Sequence, residues 1–195
     1  MRRHSAKYKI LLSLCWLLGC GSSRSPVHAA AGEGKSASVE LLSPLDACTP
    51  AGPETCENAL DDNCNGVIDE GCDERLGLVQ FVIAWDKPGA DIDLRVTDPN
   101  GELVEVGRPA ESGLLKERDC PGRGGECRGK NTENVFLESG EPTRGTYSIK
   151  VRLESLGGET TPIPVRFGAR LGPKTYAAEL VLERPEAERE LSLRL

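Results

Sequence analysis

Apolar residues between positions 76 and 195 follow the two-residue period of β-strands. Leu78 to Trp85 is an almost continuous apolar run, which indicates a strand buried on both faces. Apolar and polar residues alternate at 92–96, 147–153 and 163–171, as is typical of strands with one buried face. Because no helical period competes, the pattern predicts an antiparallel β-sandwich of about eight strands over residues 76–195. The shorter candidate strands are 103–106, 134–137, 176–182 and 191–195.

The chain begins with a basic segment followed by a short apolar one. Ile10 to Leu18 is too short to cross a bilayer and indicates the apolar part of a signal peptide over residues 1–19. This segment ends in Leu17-Leu18-Gly19-Cys20, which resembles the lipobox of bacterial lipoproteins. The resemblance implies cleavage before Cys20 and a lipid anchor on its sulfur, and Gly21 implies sorting to the outer membrane, on its periplasmic or surface side. The alternative is an ordinary secretory signal with a chance cysteine.

Charge and composition limit the partners of the exported chain. Residues 20–47 are rich in Gly, Ser and Ala and predict a flexible tether. Removal of the signal peptide takes away Arg2, Arg3, Lys7 and Lys9, so the formal net charge falls from -7 to -11. This negative charge argues against nucleic acid and against an anionic membrane surface as partners.

Six cysteines remain after cleavage at Cys20 and acylation. An even number of cysteines in an oxidising compartment indicates disulfides. Four of them recur at a spacing of eight within residues 48–73, a segment too short to build its own apolar core, and their pairing stays open. The other two close a Gly-rich stretch within the polar segment 107–131 and predict a local disulfide. The six are Cys48, Cys56, Cys64, Cys72, Cys120 and Cys127.

The segment from Asp61 to Cys72 has the spacing of an EF-hand-type calcium loop. Oxygen-bearing side chains alternate, and Gly66 permits the sharp bend. Position twelve is Cys72 instead of the usual bidentate glutamate, so Glu70 or solvent must complete the shell. The spacing therefore predicts a weak calcium site, with a Kd on the order of 0.1–1 mM, and the alternative is a disulfide-held acidic turn without metal. The predicted ligands are Asp61, Asn63, Asn65, Asp69, Glu70 and the carbonyl oxygen of Val67.

The stretch ETCENALDDNCNGVIDEGC from Glu54 to Cys72 resembles the metal-binding motif of MopE-like bacterial surface proteins. The resemblance implies a bound metal and is associated by name with copper. Copper sites favour imidazole, thiolate or thioether ligands. The mature chain has one histidine, His28 in the tether, and no methionine. The oxygen-only loop therefore predicts calcium as the cofactor.

The first half of the predicted sandwich, residues 77–155, resembles the YfaP-like bacterial domain. The resemblance implies a β-sandwich and gives no reaction. The matching stretches are FVIAWD at 81–86, DIDLRV at 91–96, PNGE at 99–102, DC at 119–120, Cys127, ENV at 133–135 and GTYSI at 145–149.

Two aspartates in one predicted strand indicate a candidate second cation site. Asp91 and Asp93 are two residues apart and so share one face of the strand, where aspartate is unfavourable without a reason. The alternative is a solvated strand start beside a turn. The full candidate set is Asp86, Asp91, Asp93, Asp119 and Glu133.

The predicted folded region contains no obvious catalytic constellation. It has no histidine to serve as a general base, and its cysteines are expected to be paired. We therefore expect a calcium-binding structural or partner-binding module with a protein or glycan ligand, and not an enzyme. One alternative is a carbohydrate-binding lipoprotein that stacks sugars on Trp85, Tyr147 or Tyr176. A hydrolase that uses paired carboxylates is the other.

Overall fold

A computed structural model describes residues 40–42, 48–121, 127 and 129–195 of the chain. The predicted signal peptide, Cys20 and most of the predicted tether lie outside the described residues. The described part contains nine strands and no helix, and thus no helix there has the length and apolar character needed to cross a membrane. The strands are β1 Glu40–Leu41, β2 Val79–Trp85, β3 Asp91–Thr97, β4 Leu115–Lys116, β5 Thr132–Leu137, β6 Thr146–Ser155, β7 Ile163–Leu171, β8 Lys174–Leu182 and β9 Glu188–Arg194.

Strands β2 to β9 form two antiparallel sheets that share one apolar core. The five-stranded sheet has the order β4-β5-β2-β7-β8, and the other has the order β9-β6-β3. Strand β1 adds two residues to β9 in parallel. The rings of Phe81 in β2 and Tyr147 in β6 meet across the core with their centroids 5.4 Å apart. The predicted fold class, an antiparallel sandwich of about eight strands, is confirmed.

Strand β2 is buried on both faces, as its continuous apolar run predicts. Phe81 and Ile83 point into the sandwich core. Val82 and Ala84 lie on the opposite face and pack with Ala59 and Ile68. The disulfide-rich segment 48–73 therefore covers the outer face of the five-stranded sheet, on the side opposite the sandwich core.

The region after β3 differs from the prediction. Asp98 accepts the main-chain N–H groups of Asn100 and Glu102 at 2.9 Å each, which closes the predicted turn. Residues 103–106 form only single bridges, Thr97 to Leu103 and Val106 to Lys116, because they follow this tight turn at the sheet edge. The short strand β4 lies instead within the segment 107–131 that the sequence indicated as polar loop.

Candidate cation sites

Two disulfides give the segment 48–73 its shape. Cys48 pairs with Cys64 and Cys56 with Cys72, and each bond spans 16 residues. A third disulfide joins Cys120 and Cys127, which confirms the predicted local bridge. The Cys56–Cys72 bond brings residues near 54 next to the predicted calcium loop.

The segment is fitted closely to the sheet beneath it. A methyl group at Gly168 in β7 would lie 2.0 Å from the carbonyl oxygen of Ala59, so only glycine permits this approach. Arg166, also in β7, donates from Nε to the carbonyl oxygen of Asn58 at 3.1 Å. Apolar packing and main-chain contacts therefore hold the loop against the sandwich.

The first half of the predicted calcium loop has the hydrogen bonds expected of such a loop. The Asp61 carboxylate accepts the N–H groups of Asn65 at 3.0 Å and Gly66 at 2.8 Å. Asn63 accepts the N–H of Asn65 at 3.0 Å, and Asn65 accepts that of Val67 at 2.9 Å. The left-handed conformation of Gly66, with φ of 85°, allows the bend. The side-chain oxygens of Asp61, Asn63 and Asn65 thus accept main-chain N–H groups inside the loop and fix its bend.

Glu70 joins this set of side chains. Its Oε1 atom lies 2.5 Å from the amide nitrogens of both Asn63 and Asn65. Its Oε2 atom is shielded from solvent and has no hydrogen-bond partner among the described residues. Glu70 therefore lies beside two of the other predicted ligands, Asn63 and Asn65, and its Oε2 atom could bind a cation.

Glu54 belongs to the same site, although the loop spacing does not include it. Its Oε1 accepts the main-chain N–H of Asn63 at 3.0 Å, and its Oε2 is shielded from solvent without a partner among the described residues. Burial raises the pKa of Glu54, the N–H of Asn63 opposes this, and the carboxylates of Glu70 and Asp61 raise it further. The sequence carries one signal that could have identified Glu54, the pattern Glu-x-Cys at 54–56 and again at 70–72. This pattern becomes informative only when the pairing of Cys56 with Cys72 is known.

Asp69 has a different set of partners from the one predicted. Its side chain is fully buried, and its two oxygens accept the N–H groups of Asn58 at 3.3 Å and Ala59 at 3.1 Å. Burial raises its pKa to about 6. Asp69 itself is left-handed, with φ of 52°, which turns its carboxylate to the preceding turn instead of the loop oxygens. The structure therefore gives Asp69 the role of fixing that turn against the sheet.

The five candidate residues of the second cation site divide between two places. Carboxylate oxygens of Asp91, Asp93 and Asp119 lie within 4.8 Å of one another, the one such group among the described residues. Asp86 lies elsewhere and pairs with Arg166 at 2.9 Å. The sequence thus identified three residues that do meet in space.

Cationic side chains already approach this cluster. Lys116 Nζ lies 3.9 Å from Asp119 and 2.7 Å from Glu133, and Arg95 lies 2.8 Å from Asp93. Burial, followed by the neighbouring carboxylates, raises the pKa of Asp91, and burial also raises that of Asp93. The cluster therefore has less unpaired charge to attract a metal ion than the count of acids suggests.

Glu133 is a buried acid next to this cluster. It is fully buried in β5 and accepts the N–H groups of Leu94 at 2.6 Å and Cys120 at 3.0 Å. Burial raises its pKa to about 8 although Lys116 acts in the opposite direction. Since Leu94 belongs to β3 of the other sheet, the Glu133 carboxylate links the two sheets.

The aromatic residues considered for sugar stacking are all in the core. Trp85, Tyr147 and Tyr176 are at most 3% exposed. Trp85 donates from its indole N–H to the carbonyl oxygen of Ala90 at 3.1 Å. Tyr147 donates to the carbonyl oxygen of Thr143 at 2.6 Å, the contact that a corner tyrosine makes in β-sandwiches. None of the three rings presents a face to solvent for a sugar to stack on.

The resemblances to the MopE-like motif and the YfaP-like domain remain predictions from the sequence. The description of the loop and of the sandwich does not depend on these resemblances. No protein-family model, curated protein or solved structure matches this chain.

Proposed function

We propose that this chain is a calcium-binding structural module of an exported, lipid-anchored protein, and not an enzyme. The observation that carries the proposal is the meeting of Asn63, Asn65 and Glu70 beside the Asp61 carboxylate. Calcium takes six to eight oxygen ligands from carboxylates, amide and main-chain carbonyls and water. This loop offers those donor types on one short segment.

The donor set favours calcium over softer metals. Copper and zinc sites use imidazole or thiolate ligands. The four cysteines beside the loop are held in the Cys48–Cys64 and Cys56–Cys72 disulfides and carry no thiolate. The orphaned Oε2 atoms of Glu54 and Glu70 are hard anionic oxygens, which fit a calcium ion.

Calcium at this loop would act by stabilising the packed structure. Like-charged carboxylates held close together oppose folding, and a divalent cation between them removes that repulsion. The loop lies on the same segment whose Ala59 and Ile68 cover the sheet. Ion binding to the folded state therefore stabilises the docked arrangement by mass action.

The cellular location in this proposal depends on the N-terminal residues and on the disulfides. Three disulfides in one small domain fit an oxidising compartment outside the cytoplasm. Cys20 and the apolar segment before it supply the proposed anchor in the outer membrane. The negative net charge of the exported chain argues against nucleic acid as a partner. We also propose that the module binds a protein or glycan ligand.

The proposal is tested by calcium titration of the full-length chain in detergent, followed by calorimetry and by thermal unfolding. We expect one site with a Kd on the order of 0.1–1 mM and a higher Tm with calcium than with chelator. Asp61→Asn should weaken binding at least about tenfold, because it removes a charged oxygen ligand.

Asp73→Asn is the matched control, since Asp73 is an exposed acid of the same segment, and asparagine tolerates its left-handed φ of 59°. This variant should bind calcium like the wild type. Copper should give no comparable rise in Tm. Absence of both heat and a Tm change with calcium in the wild type would show that the loop is only a disulfide-held turn.

A further inference from the structure

We propose that Glu54, which precedes the twelve-residue loop, is a further calcium ligand and with Glu70 supplies the carboxylate oxygens that Cys72 cannot supply at position twelve. This inference rests on the proposed calcium function and names an additional residue of the same site. The loop spacing alone gives no reason to include Glu54.

The Cys56–Cys72 disulfide explains how Glu54 reaches the loop. Glu54 precedes Cys56 by two residues, and Glu70 precedes Cys72 by two residues. The Cα atoms of the two cysteines are 5.3 Å apart. The bond therefore sets the two Glu-x-Cys segments next to each other, with their glutamates at the same distance from the covalent link.

Both glutamates hold the same loop residue. Glu54 Oε1 accepts the main-chain N–H of Asn63 at 3.0 Å, while Glu70 Oε1 lies 2.5 Å from the Asn63 side-chain nitrogen. Asn63 is the third position of the loop and one of its predicted ligands. Glu54 is therefore fixed by a main-chain contact at the site itself and does not depend on a mobile surface rotamer.

Each glutamate has one carboxylate oxygen that the described protein atoms leave unsatisfied. The Oε2 atoms of Glu54 and Glu70 are both shielded from solvent and without a hydrogen-bond partner among the described residues. A buried, charged oxygen without a partner is costly, and the negative charges of two glutamates that contact the same residue, Asn63, repel each other. A cation bound between these oxygens removes both costs, and calcium prefers this ligand type.

The charged ligands of the proposed site differ from those that the loop spacing predicts. Asp69 is fully buried, and its oxygens accept N–H groups from Asn58 and Ala59, which lie outside the loop. The Asp61 oxygens accept N–H groups of the loop itself, so Asp61 stays at the site and Asp69 is turned away from it. Glu54 takes its place, and the charged ligands become Asp61, Glu70 and Glu54. Asn63 and Asn65 contribute neutral oxygens.

The test compares the calcium Kd of full-length Glu54→Gln with that of the wild type by isothermal titration calorimetry. Glutamine keeps an oxygen for the Asn63 N–H and removes only the charge, so the Tm in chelator should stay near the wild-type value. We expect the Kd for calcium to rise at least about tenfold. Glu54→Asp, which keeps the charge on a shorter side chain, should weaken binding less, and it decides the test if Glu54→Gln fails to fold.

Glu57→Gln is the matched control. Glu57 lies in the same segment, 40% exposed, with its carboxylate 3.6 Å from Lys130. Its substitution removes the same charge without touching Asn63, so its Kd should stay within about threefold of the wild type, because screening weakens the effect of a distant exposed charge.

Three outcomes separate the possibilities. Wild-type affinity in both Glu54 variants, with binding lost in Asp61→Asn, would overturn the role of Glu54 and leave the calcium site intact. Equal losses in Glu54→Gln and Glu57→Gln would also overturn it, since general charge would then suffice. No calcium binding by the wild type would reject the proposed function and this inference together.

Discussion

The ammonium group of Lys130 lies 3.3 Å from the buried carboxylate of Glu74 and donates to the carbonyl oxygen of Cys72 at 2.8 Å. Arg118 and Thr132 also donate to Glu74, whose side chain is fully buried. Glu74 comes directly after the disulfide-rich segment, while its three partners belong to the sandwich. A single buried carboxylate therefore fastens the segment to the sheet.

Glu74→Gln should destabilise the protein by about 3 kcal/mol, because it removes the counter-charge that Glu74 gives to buried Arg118 and leaves Lys130 with the more exposed Glu57. The measurement is denaturant unfolding in chelator, which separates this effect from calcium binding. Glu138→Gln is the matched control, since Glu138 forms an exposed pair with Arg75 and should cost no more than about 1 kcal/mol. Equal stability of the two variants would show that Glu74 does not fasten the segment.

Gly168→Ala should loosen the contact between the disulfide-rich segment and β7. The added methyl group would meet the carbonyl oxygen of Ala59 at 2.0 Å, so either the segment or the strand must move. Overpacking of this kind costs about 1–3 kcal/mol. Amide hydrogen exchange should rise at Asn58 and Ala59, because Ala59 contacts Gly168 and Arg166 holds the carbonyl oxygen of Asn58. Unchanged exchange and unchanged stability in this variant would contradict the close docking.

The sandwich could be predicted from the sequence because one-sided burial leaves a direct trace. In β3 the apolar residues Ile92, Leu94 and Val96 are buried and alternate with half-buried polar ones. Strand β2 shows the limit of this reasoning. Its continuous apolar run predicted a cover on both faces, but the periodicity cannot say that the cover is Ile68 and Ala59, about 15–25 positions earlier in the chain.

The geometry of the candidate calcium loop was predictable only where main-chain turns define it. Asp61, Asn63 and Asn65 are placed by local hydrogen bonds within the loop, so their spacing was informative. The partners of Asp69 could not be predicted in this way, because its left-handed backbone points its carboxylate to the preceding turn. Glu54 was missed because four cysteines allow three pairings, and only the pairing of Cys56 with Cys72 brings Glu54 beside the loop.

The stability of the chain in chelator should fall as the pH rises from about 5 to about 8. Burial raises the pKa of Asp69 to about 6 and that of Glu133 to about 8, above the values near 4 expected in the unfolded chain. The folded state therefore binds more protons than the unfolded state in this range, and the contribution is lost as each folded carboxyl ionises. The pKa values of Asp62 and Asp86 are lowered, so their opposite contribution is confined to pH values below about 4.

Thermal unfolding at several pH values checks this dependence. Glu133→Gln should flatten the upper part of the curve, because glutamine does not titrate. Calcium should raise the Tm more at about pH 8 than at about pH 5, since the carboxylates that bind it compete with protons at the lower pH. A Tm in chelator that increases with pH over this range would contradict the prediction.

Cys20→Ser should release the protein from membranes. The proposed anchor consists of several acyl chains on this residue, which bind a bilayer stably where one chain binds only marginally. The measurements are incorporation of labelled palmitate and partition into a detergent phase, with wild type as the reference. If the wild type incorporates no palmitate and partitions like the variant, Cys20 is a chance cysteine after an ordinary signal peptide.

Asp69→Asn and Asp61→Asn make the same chemical change at two neighbouring acids with different roles. Asp69 accepts the N–H groups of Asn58 and Ala59, in the turn that packs on the sheet. Asp61 instead accepts N–H groups within the predicted calcium loop. Asparagine keeps one acceptor oxygen and tolerates the left-handed φ of 52° at position 69. Asp69→Asn therefore leaves one of two main-chain N–H groups in a buried site without its acceptor.

We expect Asp69→Asn to lower the free energy of unfolding in chelator by about 1–2 kcal/mol. Loss of the buried charge offsets part of this cost, most strongly above about pH 6, where the carboxyl would be ionised. The calcium Kd should stay within about threefold of the wild type, as expected for a charge that is not a ligand. Asp61→Asn should show the reverse, with nearly wild-type stability in chelator and a Kd raised at least about tenfold. If Asp69→Asn weakens calcium binding as much as Asp61→Asn does, Asp69 is a ligand after all, and the turn at Asn58 and Ala59 must release its carboxylate when the ion binds.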